Sequence, residues 1–230
     1  MPARYGVYFL PEEGSALERF GHTWLGRDMS SGRSESRPEV PGISAERLTE
    51  LIKAPRHYGF HATLKAPFRL APSKSEADLL QAAAVFSAHA SRVKIPPLRL
   101  TEWAGFLALR PNAPCAAVDE LAASCVQTFD CFQSPLSPDE LQRRSRACLT
   151  PTQQRLLSRW GYPYVFDQFR FHLTLTGMLS GPEECAALLD FLHPRVKPLI
   201  SNSMLIREIC IVKQADTGVP FSVMQRFPLK

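Results

Sequence analysis

This sequence predicts an α+β fold, because strand and helix patterns mix along the whole chain without the regular alternation of a parallel βα repeat. Neighbouring strand candidates at 98–103, 106–110 and 114–118, and again at 205–213 and 221–227, suggest antiparallel pairs. Twenty prolines in 230 residues are about twice the usual ~5% share. They fall mainly where elements begin or end, which predicts many short elements.

Arg4 to Leu10 is aromatic and β-branched and stops at Pro11, so it reads as the first strand. The stretch after it fits a helix or an irregular segment. Residues 28–42 are rich in Ser, Gly, Arg, Glu and Pro, the composition of an exposed, mobile loop. Ser44 caps a short helix with Leu48, Leu51 and Ile52 on one face, ended by Pro55, and a strand is expected over 57–66. Ser73 with Glu76, Ser137 with Glu140, and Thr150 with Gln153 have capping-box spacing. Pro138 and Pro151 occupy first helical positions, where a missing amide costs nothing. Helices are therefore expected at 74–92, 119–132, 138–147, 151–160 and 182–192, with a strand over 169–178.

A chain of this length buries a core without metal or disulfide support. It has no 18-residue apolar run, so no membrane span is expected. The start, with Glu12 and Glu13 soon after a short apolar run, is unlike a signal peptide, and a cytoplasmic protein is expected. Six cysteines without a C-x-x-C pair read as reduced, mostly buried thiols. The net charge of +5 favours anionic ligands but is too modest for duplex nucleic acid. There is no G-x-x-x-x-G-K-S/T, no H-E-x-x-H, and no carboxylate–histidine cluster at metal-ligand spacing. Neither cofactor nor metal is expected.

One pattern occurs twice: Phe60-His61-Ala62-Thr63-Leu64 and Phe171-His172-Leu173-Thr174-Leu175. Six histidines and ten threonines in this length give a His-x-Thr about a quarter of a time by chance. Two occurrences are therefore roughly a 3% coincidence. In a strand, residues i and i+2 share a face, so each histidine stands beside its own threonine. An imidazole gives or takes a proton near neutral pH, and a threonine hydroxyl donates to a phosphoryl oxygen. Two such pairs facing one cleft suit a phosphodiester, with one histidine as base, the other as acid, and Thr63 and Thr174 on the non-bridging oxygens. Nothing in the sequence decides which histidine does which. The other histidines, His22, His57, His89 and His193, have no threonine at that spacing.

Two separated His-x-Thr-hydrophobic tetrads resemble the signature of the two-histidine phosphoesterase superfamily. That superfamily holds RNA 2′,3′-cyclic phosphodiesterases, bacterial ligase-like proteins and cyclic phosphodiesterases of small nucleotides. The strings Arg4 to Phe9, Arg56 to Phe68 and Phe169 to Gly177 are similar to one branch, often encoded beside bacterial phosphonate-utilisation genes. The resemblance implies a two-lobed fold from a duplicated βα unit, antiparallel sheets facing a cleft, and one tetrad from each lobe. It is compatible with a single domain over 1–230 with approximate lobes 1–103 and 104–230. It also implies metal-independent cleavage or formation of a phosphoester beside a vicinal sugar hydroxyl. The branch implies a small cyclic phosphodiester of a phosphorylated sugar as substrate. An RNA 2′,3′-cyclic end, or a non-catalytic sensor of phosphorylated ligands, is the alternative.

Four further residues are candidates for the substrate. Arg170 shares the face of His172, as a phosphate ligand or a structural ion pair. Lys65 is a phosphate ligand if the strand twists, ends or bulges there, and otherwise a solvated lysine. Tyr58 and Tyr5 bind phosphate, stack on a ring, or simply pack. Trp24, Trp103 and Trp160 show no common alignment and read as core or edge aromatics.

Overall fold

Strand β1 (Arg4–Phe9) is paired on both sides, by β2 (Ala62–Phe68) and β8 (Glu208–Gln214), and β9 (Ser222–Pro228) closes a four-stranded antiparallel sheet of order β2-β1-β8-β9. The computed structural model describes residues 3–145 and 148–230. The alternation of β1 divides its side chains between two environments. Tyr5, Val7 and Phe9 enter the main core, while Tyr8 joins a smaller cluster with Cys210, Val212 and Phe221.

A second antiparallel sheet is built from β4 (Leu98–Trp103), β5 (Phe106–Pro111) and the two-residue β6 (Leu173–Thr174), and β3 (Val93–Ile95) pairs with β7 (Met204–Ile206). The α+β class and its antiparallel pairing are thus as the sequence predicts. The two sheets do not follow halves of the chain. β8 and β9 join the sheet of β1, and the 103/104 division falls in the tight turn of the β4–β5 hairpin, where Trp103 opposes Phe106.

Seven α-helices among the described residues cover these sheets: α1 (Ala16–Leu25), α2 (Ala45–Tyr58), α3 (Glu76–His89), α4 (Ala116–Thr128), α5 (Pro138–Ser145), α6 (Pro151–Trp160) and α7 (Pro182–Ile200). The caps at Ser44, Ser137 and Thr150 form as expected, and Thr150 with Gln153 makes a full capping box. Residues 146 and 147 of the helix expected over 138–147 lie outside the described residues. No helix among the described residues is long and apolar enough to cross a membrane.

Several boundaries differ from expectation for local physical reasons. Helix α2 runs through Pro55 to Tyr58, so the strand expected from 57 starts only at Ala62. Pro55 has no N–H for the Leu51 carbonyl, and the Gly177 N–H takes that carbonyl instead at 2.5 Å. Helix α3 is capped by Ser75 with Asp78 rather than Ser73 with Glu76, because Glu76 is engaged by the Tyr5 hydroxyl and by Lys213. Residues 114–118 open α4 instead of forming a strand. Of 169–178, only Leu173–Thr174 is paired as a strand. Helix α7 continues past Pro194 and Pro198 to Ile200. Segment 28–42 forms no helix or strand, yet Met29 and Val40 are buried and pin it to the body. Among the cysteines only Cys125 and Cys210 are buried, which corrects the expectation of mostly buried thiols.

Candidate active site

His61 stands one residue before β2, at the exit from α2. The Gly59 carbonyl accepts from its Nδ1 at 2.8 Å, which leaves Nε2 without a proton in the neutral ring. That Nε2 accepts from the Thr63 hydroxyl at 3.0 Å, so the expected i, i+2 pairing is formed. The ring lies flat on Tyr8, 3.8 Å between centroids and 20° between planes.

His172 repeats the Nδ1 tie. The Arg170 carbonyl, again two residues back, holds its Nδ1 at 2.7 Å. Trp103 meets its ring edge-on at 4.9 Å, a role absent from the reading of that tryptophan as a plain edge aromatic. Thr174 follows on β6, opposite Ala108 of β5.

Helix α1 fixes both motifs. Gly21 lies where any Cβ would be 2.1 Å from the Phe60 ring, so the first motif packs directly on its backbone. One turn on, the Trp24 indole donates to the Leu175 carbonyl at 2.8 Å, inside the core. Leu175 and Thr176 also donate their N–H groups to the Leu107 carbonyl of β5, and Phe9 of β1 packs on Phe171 at 5.5 Å.

His61, Thr63, His172, Thr174 and Tyr58 line one cleft of about 600 Å³. Around them stand Arg4, Arg69 and Arg144, together with Tyr8, Tyr162 and Tyr164. None of these six was singled out by the sequence. For Arg4 and Tyr8 a signal existed, since an even spacing on a recognised strand places both on one face. The Arg4 Nε donates to Gln214 at 2.7 Å, and Gln214 in turn bonds the His57 Nε2 at 2.9 Å.

Burial is the main reason that His61 titrates low, at about 4; the Gly59 carbonyl opposes this and the charge of His172 adds to it. His172 is also lowered, first by burial, with Arg110 adding to it against the Arg170 carbonyl. That His61 responds to His172 is the electrostatic sign that the two share a cleft. Tyr8 is fully buried, and its Oη meets no hydrogen-bond partner among the described residues. Its phenol titrates well above the ordinary value, first through burial. Tyr58, Arg4 and Tyr162, all lining the cleft, are the groups it responds to.

Three expected substrate residues are elsewhere. Lys65 is 3% exposed, with Nζ 3.5 Å from the Val126 carbonyl and 5.2 Å from the Phe68 ring centre. It is therefore neither a phosphate ligand nor a solvated lysine. The β1–β2 register shifts there, Val7 opposing Lys65 while Tyr8 opposes Thr63, and this bulge turns Lys65 inward and brings Ala66 and Pro67 to the cleft. Burial lowers Lys65 to about 8. Tyr5 points to the other face of β1 and donates to Glu76 at 2.7 Å. Arg170 folds back on the carbonyls of Asp167 and Phe169, at 2.8 and 2.6 Å, and does not line the cleft. No group of three or more His, Cys, Asp or Glu side chains suited to a metal occurs among the described residues.

A family model described as "Protein of unknown function (DUF1045)" matches residues 63–222. The protein named ribose 1,5-bisphosphate phosphokinase PhnN of Janthinobacterium sp. (strain Marseille) is 36% identical over 230 residues, 98% of this chain and 50% of that protein. Its namesake from Laribacter hongkongensis (strain HLHK9) is 36% identical over 184 residues, 77% of this chain and 40% of that one. The chain thus spans half or less of the length of these curated relatives. Among solved structures, TT0787 of Thermus thermophilus is 12% identical, with coverage of 98% and 97% and a TM-score of 0.48. E. coli LigT complexed with NADP+ is 12% identical, with coverage of 100% and 99% and a TM-score of 0.47.

Proposed function

The chain belongs to the DUF1045 family, and from its site we propose that it is a phosphoesterase that opens a small cyclic phosphodiester by paired-histidine acid–base catalysis. One observation carries this reading: each histidine has Nδ1 tied to the carbonyl two residues back, and both rings line the same cleft.

In the proposed reaction a water molecule attacks phosphorus as the His61 Nε2 takes its proton. The ring P–O bond breaks, and the departing sugar oxygen takes a proton from the Nε2 of protonated His172. We take His61 as the base, since burial lowers it to about 4 and keeps its ring neutral. Thr63 turns its hydroxyl from His61 to a non-bridging oxygen, and Thr174 serves another. Charge building on phosphorus is balanced by these donors and by Arg4. Proton transfer in this scheme rests on the chain's own residues.

For the substrate we favour the cyclic phosphate of a phosphorylated ribose. The support is the name of the longer relatives, which refers to ribose 1,5-bisphosphate. Their phosphokinase activity is not carried over, because this chain has no G-x-x-x-x-G-K-S/T loop. The second reading is an RNA 2′,3′-cyclic end, favoured by Tyr164 at the cleft, 43% exposed and edge-on to Tyr162 at 5.5 Å, as a surface for a base.

Phosphorus NMR with ribose cyclic phosphates, 2′,3′-cyclic nucleotides and an RNA cyclic end, with and without a chelator, tests this. Turnover of the phosphorylated ribose in chelator is expected. Binding without turnover of any substrate would make the protein a sensor.

The pH profile has a defined sign. Below about 4 His61 is protonated and cannot act as base; above the lowered value of His172, under 6.5, the acid is lost. The kcat/KM curve is therefore expected to be a bell on the acid side of pH 6.5, and the kcat curve to lie higher because an anionic substrate favours both imidazoliums. A kcat/KM plateau running through pH 8 would rule out this pair of roles.

Tyr8→Phe is expected to cut kcat by about tenfold and to raise stability by roughly 1 kcal/mol, since it removes a buried, unpaired hydroxyl while keeping the ring under His61. The hydroxyl is proposed to find its partner in the bound phosphoryl group. Unchanged kcat and KM, with or without a higher Tm, would show that it does not.

A further inference from the structure

A second pocket, of about 360 Å³, lies between α2, the irregular segment after α1 and the β8–β9 turn. It shares no lining residue with the histidine cleft. Its walls carry Arg27, Arg37, Lys53, Arg56 and His57, and no Asp or Glu lines it.

The guanidinium groups are fixed on uncharged acceptors. Arg27 donates to the carbonyls of Phe221, at 2.5 Å, and Arg56, at 3.4 Å. Arg56 donates to the Gly26 carbonyl at 3.2 Å, and Arg37 to the Thr49 hydroxyl at 3.1 Å. The carboxylate that Arg27 senses, Asp28, is occupied by the Ser30 N–H and the Ser31 hydroxyl, and lies 3.6 Å from His22. Burial and then Arg56 lower Arg27, with Asp28 opposing them, and burial followed by Arg4 and Arg27 lowers His57.

Gathering this much like charge in one concavity is electrostatically costly unless an anion enters it. Planar guanidinium forks held in place by backbone carbonyls are preorganised for phosphoryl oxygens. A single phosphate would leave much of this charge unbalanced and much of the volume unfilled. We propose that the pocket binds a small molecule carrying two or more phosphoryl groups, separately from catalysis. This inference is independent of the reaction assigned to the histidine cleft.

Pyrophosphate titrated into the full chain at constant ionic strength, followed by the ring resonances of His57, tests the proposal. The comparison is Arg37→Ala/Lys53→Ala, which alters two side chains at the rim and none in the cleft. Saturable movement of the His57 signals is expected, with affinity at least tenfold weaker in the variant and its cyclic-phosphate turnover unchanged. Three results would overturn the site. They are movement confined to His61 and His172, equal affinity in the variant, or a His57 response to an RNA oligonucleotide but not to pyrophosphate.

Discussion

Alanine at His61 or at His172 is expected to lower kcat by roughly 10³-fold, within the range for losing a positioned acid or base. In the proposed reaction both rings serve the same displacement at phosphorus, so the double variant should be little worse than either single one. Each replacement removes a half-buried ring whose hydrogen bonds are to its own neighbourhood, at Gly59 and Thr63 or at Arg170. The fold should therefore persist, which circular dichroism and a melting curve would check alongside turnover. A variant keeping more than a tenth of the wild-type kcat would remove that histidine from proton transfer.

Gly59→Ala is the second large effect, and it acts without touching substrate. Gly59 has φ +83 and ψ 172, a region that is essentially glycine-only, so a side chain there costs ~1–3 kcal/mol in backbone strain. A Cβ would also be 2.3 Å from the Met29 sulfur, in the buried cluster beneath Tyr8. About 3 kcal/mol of stability should be lost in all, lowering Tm by roughly 6–12 °C for a chain of this size. The relaxed backbone would turn the residue 59 carbonyl away from Nδ1 of His61. The ring would then lose its fixed tautomer and its flat seat on Tyr8, and kcat should fall about a hundredfold even where the protein is folded. Turnover at 15 °C with its pH dependence separates the effects: an unchanged profile and rate would mean that the carbonyl does not set the tautomer.

Much of the site was legible because its signal is short-range. His61 with Thr63 and His172 with Thr174 are two apart, and an extended backbone places such residues side by side wherever the strand goes. Tyr58 follows from the same string. The class was legible from neighbouring strand candidates, and the caps of α2, α5 and α6 from single side chains reaching amides three residues on.

The misreadings share a long-range cause. The irregularity that Lys65 needed is present, but its register is set by β1, some sixty residues earlier, and turns the side chain inward instead of to the cleft. Tyr5 was lost to Glu76 on α3, and Arg170 to carbonyls exposed where its segment fails to pair as a strand. Pro55 failed to end α2 because Gly177, over a hundred residues later, takes the carbonyl it leaves open.

The sequence alone therefore determined the chemistry available: two proton-transfer side chains, each with its own hydroxyl, in an α+β frame. Tertiary structure alone decided that they meet, through α1 holding Phe60 at Gly21 and Leu175 at Trp24, and which cations and phenols surround them. The physical reason is one of range. A backbone repeat carries side-chain direction over a few residues, while strand register, bulges and the partners of buried polar groups are settled by packing between distant segments.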